Sequence, residues 1–331
     1  MPFAPAEAAP TVSPRNEAAE ARLQISIGGL ARHRQLATQP LASRYLAWHD
    51  QMPRLLSAEG LLDFTRRARV NFAAAKAAGR FHGDVDAFAA GYAQEVRNNY
   101  ALLLSVAPDM NGKVDPEMIG VDGAAEFRRA AAEGPVVLLS THISAYHSAA
   151  IALSTEAYPI HLVTVKPRGE AFAQRWSHFG ALADRYVDPA RGNPIPTILV
   201  PDLMAPARCL RALRRREPVW LSIDTDVGVA NKQDACRFLG HWIALPRAFY
   251  ELAIREQARF FLMEMTRAGD CFAPATHRFR VTLTPLNRPT SDGLIEFHAQ
   301  LLRDEEKVLA REPQAWTLWR YWDRDVASSQ H

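Results

Sequence analysis

The stretch PVVLLSTHISAYHSAAIAL, from Pro135 to Leu153, joins a short apolar run to a helical pattern through a polar turn. A short apolar run bounded by polar residues is typical of a buried strand. Ligands of open α/β sheets bind beyond the carboxyl ends of the strands, and His142 follows this run directly. A histidine in that position can act as a general base, because its ordinary pKa lies near neutrality. The turn therefore marks a candidate active site.

Short apolar runs and helical segments alternate along the rest of this half of the chain. Such alternation predicts βαβ units and an α/β fold, with a mostly parallel, mixed central sheet flanked by helices on both faces. A later strand and a long amphipathic helix follow. The predicted strands are VVLLST, IHLVTV, VWLSID, RFFLMEM and FRVTLTPLN. The predicted helices are AAEFRRAAAEG, EAFAQRWSHFGALADRY, LMAPARCLRALRRRE, ALPRAFYELAIREQ and LIEFHAQLLRDEEKVLAREPQAW.

Three regions are predicted from composition and periodicity. Residues 1–22 are rich in Pro, Ala, Glu and Ser, and they bury too little apolar surface to offset the entropy of ordering, which predicts a disordered tail. Residues 23–115 form a helical N-terminal segment, punctuated near Pro53, Gly79 and Gly83. Residues 116–331 form the α/β domain.

Composition excludes several classes of protein. A formal charge of +3 on 331 residues is too small to favour nucleic acid as a partner. The three cysteines are odd in number and widely spaced, so they form neither a disulfide framework nor a CxxC metal site, and a reducing cytoplasm is expected. No run of apolar residues approaches the length of a transmembrane helix, and the N-terminus lacks the features of a signal peptide.

Three blocks of the sequence together resemble one known superfamily. VVLLSTHISAYHSAAIA resembles the first block of the lysophospholipid acyltransferases, in particular the bacterial lipid A lauroyl and myristoyl acyltransferases: a strand, Thr or Gly, His, four residues, then Asp or Glu. REPQAWTLWRYWDRD is similar to the tryptophan-rich ending of that branch, with Arg320 and Trp322 in register and Trp319 where a His is usual. The likeness runs from Pro116 to Asp325. Its middle blocks are matched by Asp224, Asp226, Gly228, Phe238, Gly240 and Arg267.

The resemblance implies a glycerolipid-acyltransferase-like fold and the transfer of an acyl group from an acyl-CoA or acyl-carrier-protein thioester to a hydroxyl or amine. No other cofactor is expected. His142 would be the base, attack on the thioester would be direct, and the amides of Ile143 and Ser144 with Arg267 would stabilise the oxyanion. The residues expected to bind substrate are Ser144, Asp224, Asp226, Arg267 and Arg320.

The sequence departs from the family at the orienting acid, where His147 stands instead of a carboxylate. A neutral imidazole can hold the tautomer of His142, so His147 is a second candidate catalytic residue, but it brings no negative charge. Three explanations remain open. Asp224 or Asp226 replaces the acid, or the acceptor is an amine that needs little base assistance, or catalysis has been lost.

A metal site is an alternative use of the same residues, because two imidazoles and two aspartates could bind zinc. The set would be His142, His147, Asp224 and Asp226, but its spacing does not match a known zinc motif such as HExxH, and no metal is expected. Two further functions remain as rivals: a non-catalytic acyl- or lipid-binding homologue, and a thioester hydrolase.

The expected partners follow from the same likeness. Without the membrane anchor typical of the lipid A branch, a soluble or carrier-tethered acceptor is expected. The protein would be cytoplasmic, either soluble or peripherally associated with the inner membrane. The arginine-rich run LRALRRRE complements a helix C-terminus, and it could also meet an acidic acyl carrier protein or anionic headgroups.

Overall fold

The structure is a computed structural model of the chain. The predicted tail at residues 1–22 and the predicted helix at residues 170–186 lie outside its described residues. The described residues are 40–58, 62–106, 119–144, 146–153, 159–165, 196–200, 202–224, 235–267 and 279–321.

Helices come first along the chain and then alternate with strands. They are numbered α1 to α8 in chain order within the described residues. They are α1 (Leu41–Ala58), α2 (Leu62–Ala77), α3 (Val85–Val106), α4 (Ala124–Glu133), α5 (Tyr146–Leu153), α6 (Ala205–Arg214), α7 (Arg247–Arg255) and α8 (Leu294–Arg311). Two short 3₁₀ turns, Pro313–Ala315 and Thr317–Tyr321, follow α8.

The strands of the described residues form one large sheet and one hairpin. They are β1 (Ile119–Asp122), β2 (Val136–Ser140), β3 (His161–Val165), β4 (Thr197–Val200), β5 (Val219–Ser222), β6 (Ala235–Phe238), β7 (His241–Ala244), β8 (Arg259–Arg267) and β9 (Phe279–Leu286). The seven-stranded sheet has the order β1-β9-β8-β2-β5-β3-β4, and β6 pairs with β7. Within the seven-stranded sheet, neighbours are parallel except β8 and β9, and the β6–β7 pair is antiparallel. The α/β class with a mostly parallel, mixed sheet is therefore confirmed.

Strand β2 lies near the middle of the sheet and is buried along its whole length. Because side chains alternate across a strand, Val136 and Leu138 belong to one hydrophobic cluster, whereas Val137 and Leu139 belong to the other. A strand covered on both faces reads as a continuous apolar run, which is why VVLLS carries no alternation.

The N-terminal helices share a hydrophobic core with one face of the sheet. Phe72 of α2 stacks on Phe88 of α3 with a centroid separation of 3.9 Å, and both rings contact the edge of Trp319. Asn71 adds a hydrogen bond of 2.7 Å to the carbonyl of Trp319. These contacts fix the C-terminal turns against the helical segment.

The β6–β7 hairpin turns through two residues with positive φ, Leu239 at 49° and Gly240 at 83°. Positive φ at both central positions suits the right-handed twist of a two-residue hairpin. The turn is held from both sides, because Arg80 donates to the Leu239 carbonyl at 2.6 Å and the Leu239 amide donates to Glu306. A Cβ on Gly240 would displace the Arg80 guanidinium, and the positive φ of this residue favours glycine.

Several details differ from the sequence predictions. The first helix runs through Pro53 instead of ending there. The long C-terminal helix ends at Arg311 and gives way to 3₁₀ turns. Trp242, although large and apolar, is 53% exposed on the hairpin, with the Arg237 guanidinium over its ring. No helix among the described residues is both long enough and apolar enough to cross a membrane.

Candidate active site

Two neighbouring parallel strands place a histidine opposite an aspartate. β2 and β5 are in register at Ser140 and Ser222, and the amide of Ile223 continues the ladder by donating to the Ser140 carbonyl at 2.9 Å. Two residues beyond that last register pair, the chain reaches His142 on one strand and Asp224 on the other. The pairing of the strands therefore brings the two side chains together at the carboxyl edge of the sheet.

Asp224 holds His142 through both of its carboxylate oxygens. His142 Nδ1 lies 2.7 Å from Asp224 Oδ1, and the His142 amide donates to Oδ2 at 2.8 Å. Oδ2 also accepts a hydrogen bond of 2.9 Å from the indole Nε1 of Trp316. The side chain of Asp224 is fully buried, whereas that of His142 keeps 13% of its surface exposed. The aspartate is thus an internal anchor, and the histidine is the member that solvent reaches.

The charge of Asp224 is set by its partners. Burial disfavours ionisation, but the nearby His142 and the hydrogen bonds from His142 and Trp316 outweigh it, and they lower the pKa of Asp224 below its ordinary value. An ionised carboxylate accepts hydrogen bonds only, so the Nδ1 of His142 carries the proton. The Nε2 of neutral His142 then has a lone pair, as a general base requires.

The segment after α8 closes over the loop that carries His142. Ile143 and Trp316 form an antiparallel bridge. The amide of Thr317 donates to the His142 carbonyl at 2.9 Å, and its hydroxyl donates to the same oxygen at 3.0 Å. The tryptophan-rich ending is therefore part of the site.

Aromatic rings flank the exposed side of the pair. Tyr146 is the first residue of α5, and its ring centroid lies 4.5 Å from that of His142 in an edge-to-face arrangement. The centroid of Trp220 lies 6.0 Å from that of Tyr146. Trp220 is itself fixed by a hydrogen bond of 2.6 Å from its indole to the Ser140 hydroxyl. These rings give the surroundings of His142 a partly apolar character.

Ser144 lies beside the pair, but its groups face inward. Its φ is +52°, its amide donates to the Ala315 carbonyl at 2.8 Å, and its buried Oγ has no hydrogen-bond partner among the described residues. The amides of His142 and Ser144 thus already have acceptors within the protein. The expectation that the Ser144 amide binds an oxyanion does not fit this geometry.

Arg267 ends β8 and is occupied by an ion pair. Its Nη1 lies 3.1 Å from Oε1 of Glu95 on α3, and the Glu95 side chain is 8% exposed. Burial raises the pKa of Glu95, and Glu312 adds to the rise while Arg267 opposes it. Arg267 therefore joins the sheet to the helical segment, and a substrate anion would compete with Glu95 for it.

The remaining predicted residues are only partly described. The backbone of His147 lies in α5 and that of Arg320 in the last 3₁₀ turn, and neither side chain is described. Asp226 lies outside the described residues. Within the described residues, no group of three or more His, Cys, Asp or Glu side chains is arranged to hold a metal ion. The four-residue zinc hypothesis stays a prediction, because two of its members are not covered.

Three residues around the pair were not predicted from the sequence. Trp316 bonds Asp224 itself, whereas Glu305 and His298 bond the residues directly before His142 and Asp224. Trp316 belongs to the C-terminal stretch that resembles the family, so the sequence drew attention to this stretch, but it did not indicate that the indole bonds Asp224. Glu305 and His298 carry no motif, and their only signal is a charged or titratable residue on the apolar face of an amphipathic helix.

No protein-family model matches the chain, and no curated protein matches it either.

Proposed function

We propose that the chain is an acyltransferase of the lysophospholipid-acyltransferase type, with a glycerolipid-acyltransferase-like fold. It would move an acyl group from an acyl-CoA or acyl-carrier-protein thioester to a hydroxyl or amine. The observation that carries the proposal is the 2.7 Å contact between His142 Nδ1 and Asp224 Oδ1 at the carboxyl edge of the sheet. It supports a base with an orienting acid even though position 147 is a histidine.

The pair supports the following steps. Nε2 of His142 removes the proton from the acceptor's hydroxyl or amine as that atom attacks the thioester carbon. The new C–O or C–N bond forms, the C–S bond breaks, and its electrons go to sulfur. The imidazolium then returns its proton to the departing thiolate. Asp224 stays ionised throughout and stabilises the imidazolium, the role that the aspartate has in a serine-protease triad.

The lowered pKa of Asp224 supports this assignment. A protonated Asp224 would have no negative charge to stabilise the imidazolium. Its own proton would also point at Nδ1 of His142, where the imidazole has to carry its proton. Because the carboxylate accepts hydrogen bonds from His142 and Trp316, it stays charged without exposure to water.

The test is product detection by intact mass. Purified protein is incubated with acyl-CoA and acyl-carrier-protein donors of varied chain length, together with a pool of alcohols and amines. The same mixtures are run with His142→Ala and with His82→Ala, a matched change at an exposed histidine. We expect acylated acceptor with the wild type and with His82→Ala, and none with His142→Ala.

Other outcomes identify the rivals. Donor that is retained on the protein but never consumed would favour an acyl-binding protein. Free acid released at the same rate with and without acceptor would favour a thioester hydrolase. Acceptor acylation that His142→Ala leaves unchanged would contradict the proposed mechanism.

A further inference from the structure

Helix α8 carries two buried titratable side chains on one face. His298 and Glu305 are seven residues apart, which is close to two turns of an α-helix, so they project from the same side. His298 is fully buried and Glu305 is 7% exposed. Titratable residues are rarely buried to this degree without a specific contact to satisfy.

Each of these side chains binds the residue that precedes one member of the pair. Nε2 of His298 lies 2.8 Å from the carbonyl of Ile223, directly before Asp224. Glu305 forms a side-chain hydrogen bond with Thr141, directly before His142. One helix therefore contacts both strand ends from which the catalytic side chains extend.

We propose that α8 is the positioning helix of the His142–Asp224 pair, with Glu305 fixing the turn that carries His142 and His298 fixing the strand end that carries Asp224. A helix is rigid over two turns, so two contacts on one face set the distance between the two strand ends. This inference concerns the geometry of the pair. It can hold or fail independently of acyl transfer.

Burial disfavours the charged form of both positioning side chains. None of the ion pairs between described residues involves either of them. The groups that face them are Asp224 after β5, Glu264 on β8 and the Tyr250 ring on α7. Burial raises the pKa of Glu305 well above its ordinary value, and Asp224 and Glu264 add to the rise. Burial lowers the pKa of His298 to about 4.

The neutral state matters for the pair. A carboxylate at position 305 would repel Asp224 and would give the His142 imidazolium a second anion to interact with. The shifts favour the neutral forms of Glu305 and His298 and the ionised form of Asp224, so the negative charge among these three buried groups is favoured on Asp224. The helix thus holds the two residues of the pair in position without adding a charge that would compete with that of Asp224.

The test needs no substrate, because both readouts are spectroscopic. The first is the downfield NMR signal of the His142 Nδ1 proton in its hydrogen bond to Asp224. The second is the infrared band of the Glu305 carboxylic acid at neutral pH, taken from the difference between the wild type and Glu305→Gln. The variants are Glu305→Gln and His298→Gln, which keep hydrogen-bonding groups, and Glu305→Met and His298→Leu, which do not. Gln300→Met is the control on the exposed face of α8.

We expect the carboxylic acid band in the wild type and its loss in Glu305→Gln. The downfield proton should persist in both Gln variants and in Gln300→Met, and it should be lost or shifted upfield in Glu305→Met and His298→Leu. If the apolar variants do not fold, the infrared band and the two Gln variants still decide. A carboxylate band in place of the acid band, a downfield proton lost in both Gln variants, or one unchanged in the folded apolar variants would overturn the proposal.

Discussion

Asp224 lies 82 residues after His142 in the chain, yet its Oδ1 is 2.7 Å from the Nδ1 of His142. The contact follows from the parallel register of β2 and β5, which continues past Ser140 and Ser222 into the two loops. In the proposed mechanism the orienting acid is Asp224 on the neighbouring strand, so the histidine at position 147 does not have to supply it.

His147 is therefore expected to be dispensable for the chemical step. With Nδ1 of His142 already bonded to Asp224, replacing His147 by Ala should leave turnover within about threefold of the wild type. His147→Glu, which restores the acid of the family's motif, should give no gain. Steady-state rates of acceptor acylation measure both variants. A fall of about 10²-fold or more in His147→Ala would mean that this histidine has a catalytic role of its own.

The indole of Trp316 is expected to help keep Asp224 ionised and in place. Replacing Trp316 by Phe removes the indole hydrogen bond to Asp224 Oδ2 but retains an aromatic ring beside Phe238. A hydrogen bond to a charged group contributes about 1.5–3 kcal/mol, so turnover should fall by about tenfold to a hundredfold.

The matched control is Trp319→Phe, which removes an indole hydrogen bond to the Pro313 carbonyl and does not touch Asp224. It should lower the melting temperature but leave the turnover per folded molecule close to that of the wild type. Equal loss of turnover in the two variants would argue that Trp316 acts only through the packing of the C-terminal turns.

The site could be predicted from the sequence only in part. His142 was identifiable because an apolar run ending in a polar turn marks the carboxyl edge of a sheet, and this holds whatever the strand order is. Its acid was narrowed only to Asp224 or Asp226, because both follow the same strand, β5. That β5 lies beside β2, and that their register brings Asp224 opposite His142, depends on tertiary pairing that no local pattern in the sequence encodes.

The elements of the fold could likewise be predicted from the sequence only in part. Strands β2, β3, β5, β8 and β9 were predicted from their apolar runs, whereas β1, β4 and the hairpin were not. A four-residue strand is too short to show a period, and β5, which has the same length, was recognised by its apolar run instead. The Pro53 region was expected to punctuate the helical segment, but α1 continues through it, and neighbouring residues such as Met52 and Leu56 are buried in the core. Tertiary packing can outweigh the local cost of proline in such a helix.

Arg267 is expected to matter for stability through Glu95. Removing the guanidinium in Arg267→Met leaves a largely buried carboxyl without its cation, and that should lower the free energy of unfolding by about 2 kcal/mol, less than for a fully buried pair because Arg267 is partly exposed. Glu95→Gln in the same protein should recover much of this loss. Urea denaturation of the four proteins of the cycle gives the coupling energy. Additive effects of the two changes would show that the ion pair does not act as a unit.

His298 is expected to make the protein sensitive to acid. Its pKa is about 4 in the folded protein, below the ordinary value of 6.5, so the unfolded chain binds its proton more readily than the folded one. Its contribution to stability is therefore complete above about pH 6.5, and it is lost as the pH falls through 4. Asp224 acts in the same direction, and Glu305, whose pKa is raised, acts in the opposite direction.

The comparison with His298→Gln separates these contributions. Between pH 7 and pH 4 the wild type should lose about 3 kcal/mol more unfolding free energy than the variant does, because Asp224 and Glu305 are present in both. Denaturant unfolding at a series of pH values measures the difference. Parallel curves for the two proteins would mean that His298 has the same pKa in the folded and the unfolded protein.

The most direct test of the central claim is the rate of acceptor acylation by Asp224→Asn, measured against the wild type and against Asp292→Asn, the same change at an exposed aspartate. Asparagine keeps the size of the side chain but removes its charge and can hold His142 in the wrong tautomer, a change that costs about 10⁴ in a serine-protease triad. We predict a loss of about 10²-fold or more for Asp224→Asn at unchanged fold, with Asp292→Asn equal to the wild type. Wild-type turnover in Asp224→Asn would contradict the claim that Asp224 and His142 act as a catalytic pair.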